Sequence, residues 1–168
     1  MHPPGGAHDP PVLPIRMPRF PPGDPMTAPV RDLLREVLAA CGGSGATYWE
    51  ALADGRDLVA RVDAAADPAR LEGLRVPIDG SLVGMVLCTG MAMALGPDAA
   101  YHPAAREATG ILTEAMAVAP VRIHGHTAGV LSTINPRGRA LFSQEDLESL
   151  QRYAIQLGRL LEEAADAR

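Results

Sequence analysis

The sequence predicts an α+β domain in which an antiparallel sheet carries a helix from each end of the chain. Three observations carry that reading. Apolar residues recur at helical spacing near both ends, two pairs of β-prone runs flank short turns, and one long irregular crossover separates the pairs.

Residues 1–25 hold nine prolines (Pro3, Pro4, Pro10, Pro11, Pro14, Pro18, Pro21, Pro22 and Pro25) together with paired glycines. Missing backbone donors and the lack of an apolar period predict an extended tail. The alternative is a later start, since Met17 and Met26 lie within or just after this stretch. Residues 1–27 are therefore set apart from a single domain over 28–164 and a short end at 165–168.

In the first helix Val30, Leu33, Leu34, Val37, Leu38 and Cys41 recur at three- and four-residue steps, with Thr27 placed to cap and Gly42 to stop it. After Gly43-Ser44-Gly45, the runs Ala46 to Leu52 and Leu58 to Val62 flank Asp54-Gly55 and predict a hairpin. Leu74 to Ile78 is a third strand, and its Pro77 places it at an edge or strand end, because proline cannot donate to a central ladder. Ser81 caps a helix from Leu82 to Thr89 that stops at Gly90, and Met91 to Leu95 resumes as a strand before Gly96-Pro97.

The crossover from Asp98 to Thr113 mixes helix and loop. A second hairpin then joins Met116 to Ile123 and Thr127 to Ile134 around His124-Gly125-His126, and Asn135 to Arg139 form a turn. Ser143 with Asp146 makes a capping box, and Phe142 with Leu147 a hydrophobic staple, for the last helix. Its apolar stripe runs through Leu147, Leu150, Tyr153, Ala154, Leu157, Leu160 and Leu161. Two such long stripes exceed what one sheet face is expected to cover, so two copies are expected to share a helical bundle. Leu33, Leu34, Val37, Leu150, Tyr153, Leu157 and Leu161 are the candidate dimer interface.

The chain of 168 residues is 47% hydrophobic, enough for one core. Its formal charge of -5 and its scattered arginines argue against a nucleic-acid partner. All 15 basic residues are arginine, a coding bias that points to a bacterial, GC-rich origin. No apolar run is long enough to span a membrane and no export signal is evident, so a cytoplasmic location is expected. Cys41 and Cys88 both fall in apolar helical patterns and are expected to be buried rather than disulfide-bonded.

Val76-Pro77-Ile78, followed by Asp79-Gly80-Ser81-Leu82-Val83-Gly84-Met85-Val86 and Thr89-Gly90, resembles the strand, turn, short helix and closing Thr-Gly of the GAF domain. Met116-Ala117-Val118-Ala119-Pro120-Val121, Gly129-Val130-Leu131 and Phe142-Ser143-Gln144-Glu145-Asp146-Leu147 resemble the rest of that family's signature, in the same order. The resemblance covers residues 28–164. It implies a GAF-like (profilin-like) antiparallel sheet of about six strands, the N- and C-terminal helices on one face, and on the other a pocket roofed by the crossover between Gly96 and Glu114. Family members sense cyclic nucleotides, tetrapyrroles, amino acids or other metabolites, or act only as dimerising adaptors.

Specialised branches leave residue signatures that can be checked. Asn135 is followed by Pro136, without the Asn-Lys…Phe-Asp-Glu pattern of cyclic-nucleotide binders, and His102 lies between Tyr101 and Pro103 rather than beside the cysteine of bilin binders. The free methionine sulfoxide reductases resemble this chain too, but no cysteine stands in the crossover and Val83 precedes Gly84, where a thiol pair would be needed. A zinc site wants three or four protein ligands and nothing near His124 and His126 supplies the rest, so they are expected to be a solvated turn.

The expected ligand-binding residues are Tyr48, Met93, Tyr101, His102, Arg106, Glu114 and Met116. Tyr48 and Trp49 are adjacent on one strand, so one faces the pocket and the other the helices. Arg106, Glu107 and Glu114 either orient a ligand or form a solvated helix face. The expected function is a non-catalytic small-molecule-sensing regulatory domain, homodimeric and active in signal transduction, with no cofactor, no metal and no catalytic residue. Its partners are an unknown small molecule, a second copy and a signalling protein, with no nucleic acid and no membrane. The alternatives are a ligand-free adaptor and a thiol-dependent reductase.

Overall fold

A computed structural model describes residues 23–65 and 71–167. The expected tail therefore falls almost wholly outside the described residues. Along the chain run α1 (Thr27–Cys41), β1 (Gly43–Ala51), β2 (Asp57–Asp63), β3 (Arg75–Pro77), α2 (Leu82–Thr89), β4 (Met93–Leu95), α3 (Ala104–Thr109), β5 (Met116–Ile123), β6 (His126–Pro136) and α4 (Gln144–Asp166). The strands form one six-stranded sheet in the order β3-β2-β1-β6-β5-β4, with every neighbouring pair antiparallel.

Turn chemistry sets the two hairpins. Asp54 accepts hydrogen bonds from the Arg56 and Asp57 amides, closing the β1–β2 connection. Between β5 and β6, His124 and Gly125 adopt φ values of 50° and 80°, the left-handed pair that a two-residue hairpin requires. Pro77 sits in the edge strand β3, where its missing donor costs no ladder bond.

Several boundaries differ from expectation. Thr27 is the first helical residue and not the cap; the cap position is Met26, which uses no side chain, and its amide donates to Asp24 Oδ1 at 2.8 Å. Gly43-Ser44-Gly45 is not a connection but the start of β1, pairing with the end of β6. A Cβ at Gly43 would lie 2.1 Å from Thr133 Oγ1, so glycine is there to let two strands close up. The turn expected from Asn135 likewise begins later, since β6 continues to Pro136.

Two cores lie on opposite faces of the sheet. On one, α1 and α4 pack over Ala46, Tyr48, Val62, Ala117, Ala119, Val121 and Leu131. The candidate interface residues Leu34, Val37, Leu150, Leu157 and Leu161 are buried here within one chain, Leu33 is 8% exposed, and Tyr153 is only partly buried. That corrects the assignment of all but Tyr153 to a dimer contact: the curled sheet and the two helices bury the other six side chains within one chain.

The capping box of α4 forms as expected, with Ser143 and Asp146 each bonding the other's amide. Burial pushes the Asp146 carboxyl up, but hydrogen bonds from Arg139 (2.6 Å) and from Ser143 outweigh it and hold the carboxyl below its ordinary value. A carboxyl lowered in the folded state contributes stability above its unfolded value, and that contribution is lost as pH falls through the lowered one. Asp63 works in the opposite direction, because burial raises it. Stability of Asp146→Asn is therefore expected to fall less than that of the wild type between about pH 5 and pH 2. Parallel urea titration curves for the two proteins across that range would refute the assignment.

Candidate functional site

The second core lies on the face away from α1 and α4. Trp49 and Ala51 of β1, Leu58 and Ala60 of β2, Val118 of β5 and Val130 of β6 form its floor, and Val83 and Val86 of α2 form one wall. Ser81 positions that wall: its hydroxyl accepts from the Gly84 amide at 3.1 Å and donates to the Pro77 carbonyl at 2.5 Å, joining the start of α2 to the end of β3. Met93, Met116, Leu87 and Ala104 are only partly buried against this cluster, so an apolar margin remains open beside the crossover.

One polar pair marks the floor. Trp49 Nε1 donates to Ser132 Oγ at 2.9 Å, and both residues are almost completely buried. Among the described residues the most deeply buried charged side chains, Glu50 and Asp63, instead meet Arg61 (2.5 Å) and Thr47 (2.9 Å). The exposed part of this face, at Met93 and Met116, is apolar, and it suits a largely apolar group.

The crossover runs past this face from Gly96 to Ala115. Tyr101 donates to the Gly96 carbonyl at 2.7 Å, and His102 Nδ1 accepts from the Ala104 amide at 3.2 Å, so both side chains fold back on their own segment. Partial burial raises the Tyr101 hydroxyl above its ordinary value. The helix α3 buries none of its residues, and Ile111 and Leu112 are about half exposed.

Of the expected site residues, Met93 and Met116 lie against the Trp49 cluster, and Tyr101 and His102 are half-buried in the crossover. Arg106 and Glu114 stand exposed, which favours the solvated-face reading over ligand orientation. Tyr48 is corrected: it belongs to the helix-side core at 1% exposure, and burial followed by the Glu50 charge drives its hydroxyl well above the ordinary tyrosine value. Its neighbour Trp49 takes the opposite face. Ser132 and Asn135 were not among the expected site residues; strand alternation, which puts Ser132 on the same face as Val130, the partner of Trp49, was the available signal for Ser132, and none marked Asn135 as an anchor of the crossover.

Cys41 is buried as expected, its thiol pushed up to about 11 by burial and then by Asp146. Cys88 is corrected: it is exposed, because α2 turns Val83, Gly84 and Val86 inward and leaves Met85 and Cys88 outward. His124 and His126 are exposed in the β5–β6 turn, where the His124 amide donates to Glu162 at 2.7 Å.

The sequence matches the model of the GAF domain family over residues 26–161. The chain belongs to the GAF domain family. This is a family of regulatory, small-molecule-binding domains, and the six-stranded antiparallel sheet with its helices is the fold that the family shares. Among solved structures, this GAF domain is similar to the second GAF domain of DevS from Mycobacterium smegmatis, at 24% identity and a TM-score of 0.69, covering 84% of this chain and 97% of that one. It is also similar to the GAF domain of a phosphoenolpyruvate-protein phosphotransferase from Coxiella burnetii, at 18% identity and a TM-score of 0.70, covering 87% and 88%. A free methionine-R-sulfoxide reductase from Neisseria meningitidis, solved with its substrate, matches at 19% identity and a TM-score of 0.70, covering 84% and 81%. A search of curated proteins finds no match. No helix among the described residues is long and apolar enough to cross a membrane.

Proposed function

We propose that this GAF domain, residues 28–164, is a non-catalytic cytoplasmic sensor that holds a small molecule between the Trp49 face and the crossover and signals as a homodimer. The observation that carries the reading is the pairing of an apolar margin, where Met93 and Met116 are only partly buried over the Trp49 floor, with a roof segment whose helix buries none of its residues. Such a roof gains packing when a ligand fills the space beneath it. The Neisseria protein of the same fold, solved with its substrate, supports the idea that this architecture can hold a small molecule.

Placement of the thiols supports regulation over reductase chemistry. The chain has two cysteines, and they stand on opposite sides of the sheet, Cys41 in the α1–α4 core and Cys88 on α2. A thiol reductase of this kind needs a nucleophilic thiolate and a resolving partner within reach. For the homodimer, the surface left available on the helix side is the outer face of α4, where Ile155 is 57% exposed.

A thermal-shift screen with nucleotides, amino acids and other metabolites tests the sensor. A true ligand at 100 times its dissociation constant stabilises by about 2.7 kcal/mol, which raises the melting point by roughly 5–10 °C in a chain of this size. The shift should disappear in Met93→Glu, which places a charge at the apolar margin. Libraries that shift nothing would favour the ligand-free adaptor.

A further inference from the structure

We infer that Asn135 is a positioning residue that pins the C-terminal end of the crossover and so sets how far residues 97–114 stand from the Trp49 face; the inference rests on that face being the ligand site. Asn135 lies near the end of β6 in a left-handed conformation, with φ 50°. Its side chain makes three hydrogen bonds to one stretch of crossover. Oδ1 accepts from the Glu114 amide at 2.8 Å and from the Ala115 amide at 3.3 Å, while Nδ2 donates to the Leu112 carbonyl at 2.9 Å.

The backbone of Asn135 is held in turn. Its amide donates to the Ala115 carbonyl at 2.9 Å, and its carbonyl accepts from Ser44 Oγ at 2.7 Å. A rigid strand end thus presents one amide group to a segment with little other anchorage. Among the described residues, the remaining hydrogen bonds of residues 97–114 stay within the crossover. Packing adds little: α3 buries no residue, and Ala104 is its one member packed against the Trp49 cluster. With so few other ties, loss of the Asn135 bonds should release the segment while the sheet keeps its ladder.

Amide hydrogen exchange on the ligand-free full chain tests this with two variants. Asn135→Gly keeps the left-handed backbone without strain and removes all three side-chain bonds. Asn135→Asp keeps the acceptor for Glu114 and Ala115 and loses the donor to Leu112. For Asn135→Gly, exchange across 104–115 should speed up by roughly tenfold or more, with α1 and α4 unchanged. Acrylamide should also quench the single Trp49 several-fold more readily, and Asn135→Asp should fall between. Exchange across 104–115 that stays at the wild-type rate, exchange that rises equally in α4, or unfolding of both variants would each overturn the proposal. A ligand screen without hits would remove the sensor reading and leave the exchange result to decide the role of Asn135 by itself.

Discussion

Leu34→Ala and Leu157→Ala are each expected to destabilise the fold by about 2–5 kcal/mol, the range for removing most of a fully buried leucine from a packed core. Both side chains are 0% exposed within a single chain, Leu34 on α1 and Leu157 on α4, and both belong to the core between the helices and the sheet. The loss should not depend on protein concentration. If these residues formed a subunit contact, stability would instead rise with concentration and the variants would shift the association equilibrium. Sedimentation across a hundredfold concentration range, run beside urea unfolding, separates the outcomes. Ile155→Glu on the outer face of α4 is the complementary probe and should alter association while leaving chain stability nearly unchanged.

The second large effect has an unusual sign. In an exposed helix, glycine to alanine stabilises by up to about 1 kcal/mol, yet Gly84→Ala and Gly158→Ala are each expected to cost about 3 kcal/mol here, roughly 6–12 °C in melting point. A Cβ at Gly84 would sit 1.9 Å from the Ile78 carbonyl oxygen, and one at Gly158 would sit 2.3 Å from that of Arg122. Both obstacles are backbone and cannot swing aside. The first lets α2 seat against the chain leaving β3; the second lets α4 lie close on β5. A melting point equal to or above that of the wild type in either variant would show that the helix stands further off.

Features that depend on near neighbours in the chain were legible before the fold was known. The Ser143–Asp146 box, the Ser81 cap, the edge position of Pro77 and the two hairpin turns each follow from a few consecutive residues. The apolar stripes of α1 and α4 were equally plain, but a stripe states only that something must cover it. Whether sheet or second chain does so depends on curvature that periodicity does not encode.

Cys88 was misplaced for a related reason: α2 is short and apolar nearly all round, so no face stands out as the inner one. The choice between Tyr48 and Trp49 turned on strand parity, and the register with β2 shifts between those two residues. Two neighbouring aromatics offer no composition signal to resolve it. The anchoring role of Asn135 was invisible because its partners Leu112, Glu114 and Ala115 are brought to it only by the return of the chain through β5.

Consecutive residues on β1 serve different masters, Tyr48 the helices and Trp49 the opposite chamber. An inserted or deleted residue in that strand would exchange their roles along with those of every residue beyond it. Descendants of this chain can therefore acquire new chemical tastes by swapping side chains at fixed length within the strands, whereas gains and losses of length are tolerated where the backbone roams outside the ladder, between Gly96 and Glu114.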